Sequence, residues 1–121
     1  MYQQISVSYP YFILIHQGLQ PVEGRKNKAP WNQLKPGPGS SAGLYSEYRN
    51  TFYCEVIATR VYPKGIIDGL DLFDRYILGE ELDKILPNVN TMEQARSVYL
   101  AFSTLEEIME HGMVAIQLSV K

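Results

Sequence analysis

Thr51 to Val61 runs eleven residues without a glycine or proline, and its side chains alternate in character. Phe52, Cys54, Val56 and Ala58 share one parity, while Thr51, Tyr53, Glu55 and Thr59 share the other. Side chains two apart lie on the same face of a strand. The stretch is therefore a sheet strand with one apolar face, and the rest of the chain must supply it with neighbours and a core. Arg60 breaks the pattern by falling on the apolar parity. A bulge that re-aims it, the end of the strand, or a cleft into which it reaches would each accommodate the charge. Cys54 reads as a small core residue.

The flanking segments supply those neighbours. Ile5-Ser6-Val7-Ser8 is a short first strand with Ile5 and Val7 inward. From Tyr9 to Gly18 the chain is almost unbroken in apolarity; Pro10 suits a first helical turn and Gly18 the position past its end, which predicts a buried helix. His16 sits near that end as a helix-terminus residue. Gln20 to Lys26 is the second strand, and Pro21 confines it to an edge or a strand start. Lys28 to Leu34 is a helical turn or loop bearing Trp31. Lys35 to Gly43 has linker composition and is expected to be a mobile loop within the domain. Leu44 to Tyr48 reads as a weak strand turning at Arg49-Asn50.

From Ile66 the period becomes helical. Ile67, Leu70, Phe73 and Ile77 are spaced as one stripe, which Leu82, Ile85 and Leu86 continue to Pro87. Thr91 to Gln94 and Thr104 to Glu107 both have the pattern of a capping box, and Ala95, Val98, Tyr99 and Phe102 between them face the core. Gly112 stops the last helix. Met113 to Lys121 then closes the chain as a strand, with Val114, Ile116, Leu118 and Val120 buried. This order predicts an α+β fold: a small, closed or nearly closed β-barrel with covering helices. Its 121 residues suit one domain spanning 1–121.

Composition narrows the chemistry. The single cysteine excludes an internal disulfide, and Cys54, His16 and His111 are too few for a Cys/His zinc site. No apolar run approaches the roughly 18 residues that span a bilayer. Met1-Tyr2-Gln3-Gln4 has no basic region, so no secretory signal is expected and the cytoplasm is the expected location. Neither cofactor nor metal is expected. Charge is unevenly shared: residues 1–64 hold seven Lys/Arg against three Asp/Glu, and residues 65–121 hold four against ten. Such a split marks a basic face on an acidic body. The acids of the second half read as helix-start and solvent-face residues.

The candidate site is the stretch from Gly18 to Trp31. On a strand, Glu23 and Arg25 point the same way, and a carboxylate beside a guanidinium suits a small polar ligand. Arg25, Lys26, Lys28, Lys35 and Arg49 are candidates for holding phosphates. Tyr9, Trp31, Tyr48 and Tyr62 are candidates for stacking on bases. Gln20 and Glu23 are suited to a base edge. The neutral alternatives are ordinary packing for the aromatics and a structural salt bridge for Glu23 and Arg25.

Gly18-Leu19-Gln20-Pro21-Val22-Glu23-Gly24-Arg25 resembles the G-x-K-x-x-E-x-R signature of ASCH domains, members of the PUA-like superfamily. The resemblance continues through Trp31 and Leu34 to Gly37, Val56 to Pro63, Leu86 to Ala95 with Tyr99, and Gly112 to Leu118. It implies a PUA-like barrel with a cleft beside the signature loop that binds RNA or a modified nucleoside. One branch is similar to amidohydrolases acting on N4-acetylcytidine through a lysine and a threonine nucleophile. Gln20 and Glu23 occupy those two positions here; a glutamine cannot activate a hydroxyl, and Glu23 has none to offer. A second departure is Gly37-Pro38-Gly39, where a Gly-Asp and an apolar strand are usual. The expected function is thus binding of RNA or a nucleotide-like ligand. The alternatives are a metal-independent hydrolase with Glu23 as base and Lys26, Lys28 or Arg60 stabilising charge, and a coactivator-type module docking a protein partner.

Overall fold

The computed structural model describes residues 3–37 and 40–121. Five strands form one sheet in the order β1-β3-β4-β5-β2, curled into a half-barrel. The strands are β1 (Gln3–Ser6), β2 (Val22–Lys26), β3 (Ser41–Tyr45), β4 (Thr51–Tyr62) and β5 (Met113–Val120). β1 runs parallel to β3, and every other pairing is antiparallel. β2 is an edge strand, as Pro21 requires. Helix α1 (Tyr9–His16) follows β1, and α2 (Leu72–Glu80), α3 (Leu82–Ile85), α4 (Met92–Leu100) and α5 (Leu105–His111) form the insert between β4 and β5. No helix among the described residues is long and apolar enough to cross a membrane.

Two cores lie on the two faces of the sheet. The concave one gathers Ile5, Val7, Cys54, Val56, Ile116 and Leu118 under Phe12 and Ile15 of α1. The convex one packs Met113, Ala115 and Val22 against Phe73, Tyr76, Ile77, Ile85 and Ile108 of the insert. β5 feeds both, which explains its run of buried residues from Met113 to Ile116. Expecting one buried face for β5 is therefore corrected: Met113 and Ala115 are buried as well, whereas Val120 is exposed.

The bulge anticipated before Arg60 is present. Val56 lies opposite Leu118 and Ala58 opposite Gln117, so Ile57 is the extra residue. One extra residue reverses the parity downstream. Arg60 thereby sits opposite Ala115 on the convex side, away from Cys54 and Val56. There its guanidinium donates to both carboxylate oxygens of Glu80, at 2.7 and 2.6 Å, and to Gln117 at 3.1 Å.

Other expectations need correction. The stretch from Lys35 to Gly43 is not all loop: Ser41 to Gly43 belong to β3, and Ala42 is fully buried opposite Cys54. Pro38 and Gly39, the centre of that loop, lie outside the described residues. Helical structure begins at Leu72, not Ile66. Ile66 and Ile67 are exposed, and Asp68 and Gly69, both at positive φ, make a tight turn closed by mutual Ile67–Leu70 hydrogen bonds. Asp71 caps α2 by accepting from the Asp74 amide at 2.9 Å. Thr104 and Glu107 form the reciprocal capping box. At Thr91 only half of it forms, because the Gln94 side chain takes the Asn90 amide instead.

Candidate functional site

The two edge strands of the half-barrel, β1 and β2, leave a seam, and the site is built there. Glu23 lies opposite Ile116 and Arg25 opposite Val114, so both point to the concave side. Arg25 is fixed from three directions. Its Nε lies 3.6 Å from Glu23 Oε1, its Nη2 donates to the Ser6 carbonyl across the seam at 3.0 Å, and its guanidinium lies 4.0 Å from the centre of the Trp31 ring. Stacking on an indole adds a cation–π attraction to the ion pair.

A cavity of about 430 Å³ opens at this edge, within the usual range for small-ligand sites. Gln20, Glu23, Arg25 and Trp31 line one side of it, Tyr11 and Ser8 another, and Val98, Tyr99, Phe102 and Ser103 the helical side. Gly24 lies against the insert: a Cβ there would land on the Tyr76 phenol. A side chain at this position would thus push β2 from α2, whose Tyr76 hydroxyl is hydrogen-bonded to Tyr99 of the cavity wall.

The polar wall is short of partners. Gln20 is 2% exposed; its Nε2 donates to the Val22 carbonyl at 3.4 Å, and its Oε1 is buried without a hydrogen bond. Glu23 is 8% exposed, and its Oε2 is likewise buried and without one. A buried acceptor left unmade costs about 1–3 kcal/mol, so two beside one cavity call for an explanation. Burial raises the Glu23 pKa, the Arg25 charge and hydrogen bond and the Gly24 amide pull it back, and the net direction is upward. Tyr11 is raised by burial and by the Glu23 charge. The Tyr99 and Tyr76 hydroxyls share a hydrogen bond of 2.5 Å, and burial pushes both phenols up. The phenols are neutral donors or acceptors at neutral pH.

Of the residues expected at the site, Gln20, Glu23, Arg25, Lys26 and Trp31 come together. Lys26 is engaged, with its Nζ 2.8 Å from Glu107 Oε2. The others do not line the cavity. Lys28 and Lys35 are exposed on the loop around Trp31. Tyr9 and Tyr48 meet edge to face with centroids 4.9 Å apart, at the start of α1 beside the β3–β4 turn. Arg49 occupies that turn at φ 67°. Arg60 and Tyr62 are on the face opposite Glu23, both bonded to Glu80. The apolar-parity cation thus belongs to a structural network and not to the cleft.

Tyr11, Tyr99 and Phe102 are the aromatic lining residues that sequence reasoning did not assign to the site, and Ser8, Val98 and Ser103 were missed with them. Phe102 was expected in the core, yet it is 62% exposed at the cavity rim, with its ring 6.0 Å from that of Tyr11. Its place just beyond the end of α4 was the available signal. Among the described residues no group of three or more His, Cys, Asp or Glu could hold a metal ion.

No protein-family model matches the sequence, and no curated protein matches it. Solved structures do. The crystal structure of hypothetical protein PH0355 superposes with a TM-score of 0.81 at 26% identity, covering 100% of both chains. The solution structure of protein PF0455 from Pyrococcus furiosus gives a TM-score of 0.70 at 25% identity, over 98% of this chain and 96% of that one. The whole architecture is therefore shared with other proteins.

Proposed function

We propose that this chain is an ASCH-type, PUA-like domain that binds RNA or a modified nucleoside in the cavity at the β1–β2 seam. The observation that carries the reading is the pair of buried, unpartnered acceptors, Gln20 Oε1 and Glu23 Oε2, beside a cavity of ligand size. A ligand with N–H donors would relieve both once the wall yields to it, because each atom has less than 1 Å² of surface open in the unliganded chain. Trp31 and Phe102 offer aromatic surface to a base, and stacking is worth about 1–3 kcal/mol per base. Arg25, held in place by Glu23, Ser6 and Trp31, is pre-organised and need not be ordered on binding.

Hydrolysis in the same cavity is the second reading, favoured by the raised pKa of Glu23, which is the direction a general base requires. Two of the cations expected to assist, Lys28 and Arg60, do not line the cavity, and Lys26 is paired with Glu107. Binding is therefore preferred. Incubation of the protein with short single-stranded RNA and with N4-acetylcytidine, read by mass spectrometry, separates the two. Binding predicts RNA retained at moderate salt and both ligands chemically unchanged. Shortened RNA or released acetate that disappears in Glu23→Ala would replace binding by catalysis. Glu23→Ala combined with Arg25→Ala is expected to abolish retention in a folded protein; undiminished retention would remove the site.

A further inference from the structure

The cavity does not stay on one face of the sheet. β2 has a neighbour on one side only, β5, and its other side is open. Consecutive strand residues point to opposite faces. Arg25 and Lys26 nevertheless both line the cavity, together with Ile108 and Met113 of the convex core, because it wraps around that open edge. These two are the cations it meets among the described residues, and each is already paired with a carboxylate of the chain. A ligand phosphate must therefore take one of them from its partner.

The two pairs differ in how readily they part. Arg25 is shared among Glu23, the Ser6 carbonyl and the Trp31 ring, and the Glu23 side chain is 11% exposed. Taking Arg25 away would strand a buried charge. Lys26 Nζ is held by Glu107 at 2.8 Å, and the Glu107 side chain is 46% exposed. So open an ion pair contributes little. Glu107 also keeps a partner when Lys26 leaves. Its Oε1 accepts from the Thr104 hydroxyl at 3.2 Å and the Thr104 amide at 3.5 Å, in the capping box of α5.

We propose that Glu107 is a built-in competitor for the ligand's phosphate. Lys26 exchanges that carboxylate for a phosphate group when a nucleotide sits in the cavity, whereas a bare nucleoside leaves the pair closed. This rests on the nucleic-acid reading above and adds to it a phosphate contact with an internal rival. Lysine binds phosphate as a compact point charge, so the exchange asks for reach and not for a fixed orientation.

The test is fluorescence anisotropy with a 5′-labelled, mixed-sequence RNA decamer over a range of salt. Wild type is compared with Glu107→Gln, Lys26→Met, both together, and Glu106→Gln. Glu107→Gln removes the charge but keeps a side chain suited to the capping box, and Glu106 is an exposed neighbouring acid that controls for surface charge. Glu107→Gln should bind RNA several-fold more tightly than wild type, and Glu106→Gln should gain clearly less. Adding Lys26→Met to Glu107→Gln should erase the gain and flatten the salt slope by about 0.7, the share of one phosphate on a single strand. With Lys26→Met in place, Glu107→Gln should change nothing. A gain no larger than that of Glu106→Gln, or one that persists without Lys26, would overturn the competitor and leave RNA binding standing. Unlabelled competitors locate the phosphate: displacement by nucleoside 5′-monophosphates places the contact on a terminal phosphate, and displacement only by unlabelled RNA places it on the strand's phosphodiester. Nucleosides competing as well as their monophosphates would overturn the phosphate contact. Absence of binding by all five proteins would overturn the nucleic-acid reading as well.

Discussion

Two buried glutamates, 8% and 3% exposed, end with pKa values shifted in opposite directions. Glu23 has one ion pair at 3.6 Å, and burial prevails, so its pKa rises. Glu80 is also pushed up by burial, but hydrogen bonds from Arg60 and Tyr62 outweigh this, and its pKa falls. The pH signatures must therefore be opposite. The folded state holds the Glu23 proton more tightly than the unfolded chain does. The stability tied to it is full below the ordinary value of 4.5 and is lost as pH rises through the folded pKa. The contribution of Glu80 is full above 4.5 and is lost as pH falls through its lowered value. Thermal melts should find Glu23→Gln more stable than wild type at pH 7, with the gain vanishing below pH 4.5. Glu80→Gln should be less stable at pH 7 by about 1–3 kcal/mol, less than a fully buried pair because Arg60 reaches solvent, with the loss shrinking in acid. A Glu23→Gln variant less stable at pH 7 would mean that the Arg25 pair outweighs burial. Both glutamates had sequence signals of unequal clarity. Glu23 shares its parity with Arg25. Glu80 stands seven residues after Phe73 and four after Tyr76, on the buried helical face, and was the natural partner for the misplaced Arg60.

At the scale of elements, register positions the chemistry. Ile57 has an exposed side chain yet sets which face Arg60 occupies. Deleting Ile57 should destabilise the fold far more than Ile57→Ser, because deletion returns Arg60 to the concave core without Glu80. Urea midpoints of the two variants measure this, and equal midpoints would refute it. Gly24→Ala should cost about 1–3 kcal/mol, since the new methyl meets Tyr76, and should also weaken ligand binding by displacing β2. The alternation of Thr51–Val61 and the terminators Gly18 and Gly112 made most elements legible. The start of the insert was misplaced because Ile66, Ile67 and Leu70 continue a helical spacing, although Asp68-Gly69 is a turn dipeptide. Burial of Ser41 to Gly43 could not be read, since small residues in linker-like composition reveal no face until a partner strand supplies it.

At the scale of the molecule, the half-barrel leaves an opening between its edge strands and brings the insert across it. Residues 76 positions apart, Glu23 and Tyr99, thereby line one cavity. Local patterns located Glu23, Arg25 and Trp31. They did not reveal that Tyr9 turns from the cavity to meet Tyr48 beside the β3–β4 turn that holds Arg49, nor that Tyr11 and Phe102 complete the rim, because those contacts depend on how the sheet curls. The most direct measurement is a titration of isotope-labelled protein with single-stranded RNA, following amide and indole N–H signals by NMR. Binding within the seam predicts that the Gln20 side-chain amide, the Trp31 indole and the Arg25 backbone shift together and saturate together. Shifts confined to the β3–β4 turn around Tyr48 and Arg49, with Gln20 and Trp31 unmoved, would contradict it.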